Sequence, residues 1–491
     1  MATIPPTISG LAPLPVELLR LICDAADRSG LYSIALSSRT FNEIATPLLY
    51  SAIDLRRVHA IYACVRTLTS APAKTAMNRD LASFVETFAL HDPDAKFGPS
   101  TFQSRHLSVM HCRLADAVSR MRRLRSITCR IGITLALRFL PTLASGALPF
   151  LNAIDMWVRV PSPFMGTWDS EVEVAPVAVE VRALTTLKMN WDYTPPELFR
   201  SLLCSILVAS HERLRSLAIR DSADVLNAAW LSIPSFPALE DLDISPALLT
   251  KPAFQDTSNI RRLTLPGIYR LELDSTALPN LQDITCFMVH LDAFLPDQTE
   301  HRRPISAVTF NHVRYETSRP GGHSATEDRS LPYNWCEIRA AIRAVRFSGA
   351  PLLRFGFVVD ELSADGLSSL VSLVKDLEYL LIVIQYTEAE RMGEDDIFSL
   401  AEVLGSMPRL HTFLLSDVLL KKLPGPEGGP FKFAHDEDYQ RRALAAYDQH
   451  SSSLRRVAFT TEFEWEKKEG GWHPWGHVAD REVVSDGEDE E

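Results

Sequence analysis

Two histidines near the carboxyl end of the chain have a spacing that could hold a metal ion. His473 and His477 are four residues apart, which would place both imidazoles on one face of a helix, within reach of a zinc ion. Pro474 and Gly476 lie between them and disfavour a helix, and no cysteine pair accompanies them. We therefore predict no metal site.

Motifs that bind phosphates or activate a nucleophile are absent from the sequence. The chain has no Gly-x-x-x-x-Gly-Lys-Ser/Thr, no Gly-x-Gly-x-x-Gly and no Gly-x-Ser-x-Gly. Acidic pairs such as Asp241/Asp243 and Asp395/Asp396 are better explained as solvated residues of turns or strand faces. These observations predict a protein that is not an enzyme and that needs no cofactor.

Composition favours a reduced, intracellular protein. The chain has 491 residues, of which 46% are hydrophobic, and its seven cysteines are scattered without a Cys-x-x-Cys pair. The uncharged stretch 201–210 is too short to cross a bilayer, so we predict no membrane segment. We expect the protein in the cytoplasm, the nucleus or both.

Most of the negative charge lies at the carboxyl end. Residues 461–491 contain eleven acidic and three basic residues, a net charge of −8, within a total of −12. This composition predicts an acidic disordered tail over 461–491. A protein-wide basic surface is absent, so we predict no binding to nucleic acid.

The dominant feature of the remaining chain is a recurring pattern, apolar-x-x-apolar-x-apolar. Its last two apolar residues are two apart and share one face of a short strand, while the first turns the chain in from the preceding loop. The copies begin at Val85, Leu124, Leu151, Leu184, Leu214, Leu239, Ile260, Leu281, Ile305, Leu352, Leu377, Leu410 and Leu454.

The spacing of these copies predicts stacked strand–helix units. From Leu184 onward the starts are 21 to 47 residues apart, and a capping box at Thr194-Pro-Pro-Glu197 begins one of the intervening helices. We predict an irregular leucine-rich-repeat solenoid over 56–460, an α/β fold of parallel strands with helices. Stretches rich in Gly, Pro and polar residues predict loop insertions near 161–178, 312–334 and 421–437.

The amino-terminal region has a different organisation. Residues 1–12 lack periodicity and predict a flexible leader. Apolar residues then recur at helical spacing from Leu14, with a break at 28–30 and a stop at Pro47. The pattern predicts three short helices within residues 13–55.

These residues resemble the F-box. The stretch 13–22 resembles its opening, Leu-Pro-x-Glu-Ile/Leu-Leu-x-x-Ile, and 31–36 its middle. Residues 38–41 and 47–50 resemble its close, although Phe41 stands where Trp is usual and Gly30 where an acidic residue is usual. Together with the repeats, the chain resembles an F-box protein with a divergent leucine-rich-repeat-like domain of the fungal type.

This resemblance implies a role in ubiquitin transfer. F-box proteins dock on the Skp-type adaptor of a cullin–RING (SCF-type) ubiquitin ligase, and the rest of the chain captures a protein substrate. The adaptor-binding residues would be Leu14, Pro15, Leu18, Leu21, Ile22, Leu36 and Leu48. For Leu18, Ile22 and Phe41, a role in holding the three helices together explains the pattern equally well.

The substrate would then bind the strand face of the solenoid, where side chains alternate with the buried ones. Residue type and strand phase single out Trp157, Lys188, Arg220 and Asp243 as candidate substrate-binding residues. The alternative is a stand-alone leucine-rich-repeat scaffold for protein–protein interaction, without ligase association.

Overall fold

The chain divides into two compact units, unit 1 (Met1–Leu239) and unit 2 (Glu240–Glu491). The computed structural model describes residues 14–56, 58–70, 80–91, 104–159, 179–181, 183–191, 195–220, 226, 230, 232–255, 258–267, 271–295, 302–310, 333–345, 348–359, 361–384, 394–417, 436–459 and 464–475. Among the helices of these ranges, none is both long and apolar enough to cross a bilayer.

Unit 1 begins with three consecutive helices: α1 (Val16–Ala25), α2 (Arg28–Ser37) and α3 (Arg39–Ser51). The break between α1 and α2 lies at residues 26–27, just before the predicted break at 28–30, because Asp27 caps α2 by accepting a hydrogen bond from the Gly30 amide at 2.7 Å. Ser38 caps α3 in the same way, accepting from the Phe41 amide at 3.2 Å.

The three helices share a small core, and this core carries α3 beyond the predicted stop at Pro47. Buried and partly buried side chains from all three helices pack together: Cys23, Ala26, Leu31, Ile34, Ala35, Phe41, Ile44, Ala45, Leu48 and Leu49. Since Leu48 and Leu49 belong to this cluster, packing holds the last turn of α3 helical despite the proline.

Strand β1 (Ala52–Leu55) follows α3 directly. It pairs in parallel with β2 (Thr87–His91), the next strand of unit 1. The predicted F-box region, 13–55, therefore contains the first strand of the sheet as well as the three helices. Helix α3 also contacts the 3-10 helix Leu81–Phe84, so the three helices join the strands without a linker.

The sheet of unit 1 continues in chain order. The strands after β2 are β3 (Ser126–Gly132), β4 (Ala153–Arg159), β5 (Thr186–Trp191) and β6 (Ser216–Arg220), and each pairs in parallel with the next. One register row consists of the apolar residues Phe88, Ile127, Ile154, Leu187 and Leu217, which are at most 1% exposed. The predicted strand phase is thus confirmed here.

The helices of unit 1 form the second layer. They are α4 (Val58–Thr69), α5 (Ser104–Ser119), α6 (Ile133–Ala144) and α7 (Glu197–Ser210), and each contacts the next. Helix α7 begins at Glu197, two residues later than the capping box at Thr194-Pro-Pro-Glu197 predicts, with Pro196 as its N-cap and no capping side chain. Thr194 of the predicted capping box lies outside the described residues.

Unit 2 repeats the scheme with a longer sheet. Its parallel strands are β7 (Asp241–Ile244), β8 (Arg262–Thr264), β9 (Asp283–Cys286), β10 (Ala307–Phe310), β11 (Arg354–Val359), β12 (Tyr379–Ile384), β13 (Thr412–Asp417) and β14 (Arg456–Ala458). They too follow one another in chain order.

The helices of unit 2 become longer along the chain. Short helices come first: α8 (Pro246–Leu249), α9 (Pro252–Gln255) and α10 (Leu291–Phe294). The longer ones follow: α11 (Trp335–Val345), α12 (Ala364–Val371), α13 (Glu394–Gly405) and α14 (Glu437–His450). Helices α13 and α14 approach closely at Gly405, where a Cβ would lie 2.6 Å from the His450 carbonyl oxygen.

The first apolar residue of each predicted copy is buried just before its strand, from Val85 to Leu454. This confirms the turn-in role assigned to that position. The predicted α/β fold of parallel strands with helices is therefore present in each unit and is compatible with a repeat solenoid.

The predicted disorder over 461–491 is wrong for residues 464–475. Strands β15 (Glu464–Lys468) and β16 (Gly471–Trp475) form an antiparallel hairpin on the edge of β14. Gly470 and Gly471 make its turn with φ of 102° and 126°, where side-chain-bearing residues are strained. Trp465 anchors the hairpin because it is fully buried and its Nε1 donates to Gln440 Oε1 at 2.7 Å. Residues 476–491 lie outside the described part.

The predicted leader and loop insertions lie largely outside the described residues. Residues 1–12 and 161–178 do so entirely. The described end of 312–334 includes Tyr333, whose hydroxyl accepts a hydrogen bond from the Met288 amide at 3.1 Å. The insertion predicted near 421–437 ends earlier than expected, because Asp436 caps α14 through the amides of Asp438 and Tyr439.

Candidate functional site

Helix α1 exposes an apolar stripe that its own core does not use. Leu18, Leu21 and Ile22 are 45%, 62% and 44% exposed, whereas Leu19 and Cys23 are buried, Cys23 within the three-helix core. With about 100° of rotation per residue, the exposed apolar residues lie on the side of the helix roughly opposite its buried and charged residues. Leu14, just before the helix, is 53% exposed.

Helix α2 exposes a second pair of large apolar side chains. Tyr32 and Leu36 are one turn apart and are 62% and 69% exposed. Leu36 was predicted as an adaptor-binding residue and Tyr32 was not, although the spacing of four residues to Leu36 could have identified it. We call the following exposed residues the apolar helical face: Leu14, Pro15, Leu18, Leu21, Ile22, Tyr32 and Leu36.

The structure moves Leu48 out of the candidate adaptor-binding set. Its side chain is only partly exposed and packs against the three-helix core, as Phe41 does. Leu18 and Ile22, which could have served the core equally well by sequence, are exposed instead. The pattern distinguished apolar from polar positions, but it could not tell which apolar side of each helix faces its neighbours.

The open face of the unit 1 sheet presents Trp157 and Lys188. Trp157 is 38% exposed on β4 and lies in register with Asn190 of β5. The Cζ atom of Arg130 on β3 lies 5.5 Å from the centre of the Trp157 ring, a cation–π contact. The backbone of Arg220 ends β6 in register with Asn190. Two of the four predicted substrate-binding residues, Trp157 and Lys188, are therefore exposed on this face.

Asp243, the fourth predicted residue, belongs to β7 of unit 2 and is partly exposed there. The open face of unit 2 pairs its charges across neighbouring strands. The Arg262 guanidinium donates to both carboxylate oxygens of Asp241, and Arg456 is paired with Glu464. Arg354 lies over the ring of Tyr379, with 5.0 Å between Cζ and the ring centre.

Several groups of the packed interior have pKa values shifted by burial. Burial raises the pKa of the Cys64 thiol to about 11 and, with the charge of Arg138, lowers that of His111 to about 4. Two depressions of about 190 and 480 Å³ in unit 2 share Lys375 in their lining, and none of the groups with a shifted pKa lines them.

His473 and His477 are the two histidines for which the sequence predicts no metal binding. His473 lies on β16, in register with Glu466, and His477 lies outside the described residues. Within the described ranges no cluster of three His, Cys, Asp or Glu side chains is placed to hold a metal ion.

Comparison with known proteins yields little. No protein-family model matches the chain, and no curated protein matches it. A chain in the crystal structure of the Rad7 and Elc1 complex in yeast aligns with 82% of this chain and 88% of its own length, at 12% sequence identity and a TM-score of 0.37. A likeness at this level supports no inference about fold or function.

Proposed function

We propose that this chain is a non-catalytic substrate-recognition adaptor of a cullin–RING (SCF-type) ubiquitin ligase. The apolar helical face docks on the Skp-type adaptor, and the strand faces bind a protein substrate. The cullin joins the complex through the Skp-type adaptor, and the assembly works in the cytoplasm, the nucleus or both.

The observation that carries the proposal is the exposure of the apolar helical face. Isolated exposed apolar residues are ordinary, but seven within residues 14–36 of one three-helix unit indicate an interaction surface. Burial of apolar surface stabilises an interface by about 25 cal/mol per Å². A partner that covers these side chains therefore binds with a favourable contribution to the binding free energy. Helices that insert apolar side chains into a groove are a recurrent mode of recognition.

The matched test compares two exposed apolar sites in the full-length protein. Leu18→Asp with Leu21→Asp places charge in the apolar helical face, while Val208→Asp places one on α7, where Val208 is 41% exposed. In calorimetric titrations with the Skp-type adaptor, we expect the wild type and the Val208 variant to bind alike. The double variant should bind at least about 100-fold more weakly, because two interface anchors are lost.

Two results would contradict the proposal. One is a wild-type protein that does not bind the Skp-type adaptor, and the other is equal binding by the double variant with an unchanged melting temperature. The first result would favour the stand-alone repeat scaffold, and the second would remove Leu18 and Leu21 from the adaptor interface.

A further inference from the structure

Helix α2 is a weak helix that depends on its neighbours. It has ten residues, including Gly30 and three serines, and isolated helices of this length are marginal in water. Its buried residues are Leu31 and Ala35. Its exposed side chains Tyr32 and Leu36 belong to the apolar helical face. The position of these two side chains therefore depends on what holds α2 in place.

A side chain from α3 holds the last turn of α2. The carbonyl oxygens in the last turn of a helix have no N–H partner within that helix and need other donors. Asn42 on α3 supplies one, because its Nδ2 donates to the Ala35 carbonyl oxygen at 3.0 Å. Thr46, one turn further along α3 and 7% exposed, donates from Oγ1 to Asn42 Oδ1 at 3.3 Å and so orients the amide. The two bonds are partly buried and fasten the end of α2 to α3.

The carbonyl that Asn42 binds lies directly beside an exposed residue of the apolar helical face. It belongs to the planar peptide group that joins Ala35 to Leu36, so fixing this oxygen also fixes the plane from which the Leu36 backbone continues. Ala35 is 7% exposed within the three-helix core, whereas Leu36 is 69% exposed. A second bond at this end, from Ser37 Oγ to the Ile34 carbonyl oxygen at 2.7 Å, stays within α2 and does not attach it to α3.

We propose that Asn42 is a positioning residue for docking on the Skp-type adaptor. The inference rests on the proposed function, in which the apolar helical face is the docking surface. Asn42 is not part of that face. It acts through Leu36 and, one turn earlier, Tyr32, by keeping the last turn of α2 helical and attached to α3. Without this bond the end of α2 frays, and ordering it on association lowers the affinity.

The experiment is a double-mutant cycle in the full-length protein, measured as affinity for the Skp-type adaptor. Asn42→Ala is measured alone, together with Leu36→Ala, and together with Leu18→Ala, which alters the same face on α1. Ser37→Ala is the matched control, because it removes a hydrogen bond at the same end of α2 without releasing α2 from α3. Amide hydrogen exchange in the last turn of α2 is measured for the wild type and Asn42→Ala without the adaptor.

We expect Asn42→Ala to bind the adaptor about 5-fold more weakly and to exchange the last-turn amides of α2 about 5-fold faster, since loss of one hydrogen bond typically has an effect of this size. In the presence of Leu36→Ala, the effect of Asn42→Ala on affinity should fall below about 2-fold, because the side chain through which Asn42 acts has been removed. In the presence of Leu18→Ala it should stay at about 5-fold. Ser37→Ala should bind as the wild type does.

A second variant separates loss of the donor from loss of the fold. Asn42→Asp keeps the shape of the side chain and the acceptor for Thr46, and its charge near the N-terminus of α3 favours that helix. We expect it to bind as weakly as Asn42→Ala at an unchanged melting temperature.

The inference is overturned if either Asn42 variant binds as the wild type does, if the exchange of α2 is unchanged, or if Asn42→Ala weakens binding equally in the presence of Leu36→Ala. Any of these results with a wild type that binds the adaptor leaves the proposed function intact. A wild type that does not bind the adaptor removes the proposed function, and this inference with it.

Discussion

Arg303 shows how unit 2 uses a buried charge for structure. Its side chain is 1% exposed, and its guanidinium donates to the carbonyl oxygens of Ala277 at 2.9 Å, Phe294 at 2.7 Å and Asp274 at 3.0 Å. Burial lowers the pKa of this group, but these acceptors are suited to the charged form. The arginine therefore ties three segments of backbone together, which accounts for its burial without any catalytic role.

His111 on α5 is buried in its neutral form. Its protonation at acid pH should therefore lower the free energy of unfolding. It is 6% exposed, its Nε2 has no hydrogen-bond partner among the described residues, and burial and Arg138 lower its pKa from 6.5 to about 4. Between these two values the unfolded chain binds a proton that the folded chain does not, so stability falls as pH falls below 6.5. By pH 4 we expect His111 to cost the wild type about 3 kcal/mol of unfolding free energy.

The measurement is denaturant unfolding of the wild type and of His111→Gln at a series of pH values. The difference between the two curves isolates His111, because all other titrating groups are shared. We expect the unfolding free energy of the variant to rise relative to that of the wild type as pH falls from 6.5 to 4. A difference that stays constant with pH would mean that His111 is not protected from protonation.

At the scale of single residues, the sequence could predict which side chains are apolar but not always which partner they meet. Leu14, Leu18 and Leu21 were assigned to an interface and are exposed, while Leu48 was assigned with them and packs inward. All are leucines at helical spacing, and their surroundings depend on how α1, α2 and α3 pack. That packing is a tertiary property which periodicity does not contain.

At the scale of elements, the pattern predicted strands β2–β14 because each buries two alternating apolar residues and one preceding apolar residue. Strand β1 has the same pattern in Tyr50, Ile53 and Leu55, with Tyr50 half-buried. It was missed because Tyr50 had been assigned to the end of the F-box resemblance. The sequence does not predict the hairpin β15–β16 because the recurring apolar pattern is absent from it and, among its described residues, Trp465 is the large side chain that is fully buried.

Trp465 should be the residue on which this hairpin depends. It is fully buried, its Nε1 donates to Gln440, and its ring lies 4.8 Å from Arg441 Cζ. We expect Trp465→Ala to destabilise unit 2 by about 3–5 kcal/mol, the usual cost of deleting a buried aromatic side chain. Thermal and denaturant unfolding of the full-length protein measure this loss.

His473→Ala supplies the control within the same hairpin, because His473 is exposed on β16. A change of no more than about 0.5 kcal/mol is expected for it, as for other surface substitutions. If Trp465→Ala proved equally mild, the hairpin would contribute nothing to the fold, as the composition of 461–491 had suggested.

At the scale of the whole molecule, the apolar helical face lies in unit 1, and the open face of unit 2 pairs charges across neighbouring strands. The sequence indicates the succession of parallel strands and places domain boundaries after residues 12, 55 and 460. The structure divides the chain after residue 239, within the predicted repeats. The predicted F-box region leads directly into the sheet, because β1 follows α3 without a loop.

The most direct test of the proposed ligase role is quantitative co-purification from the cells in which the protein is expressed. The tagged full-length chain and its Leu18→Asp/Leu21→Asp variant are captured in parallel, and the Skp-type adaptor and the cullin are quantified by mass spectrometry. We predict that the wild type recovers both subunits in near-stoichiometric amounts and that the variant loses both together at an equal expression level. Absence of both subunits from the wild-type sample, or their equal recovery with the variant, would contradict the account.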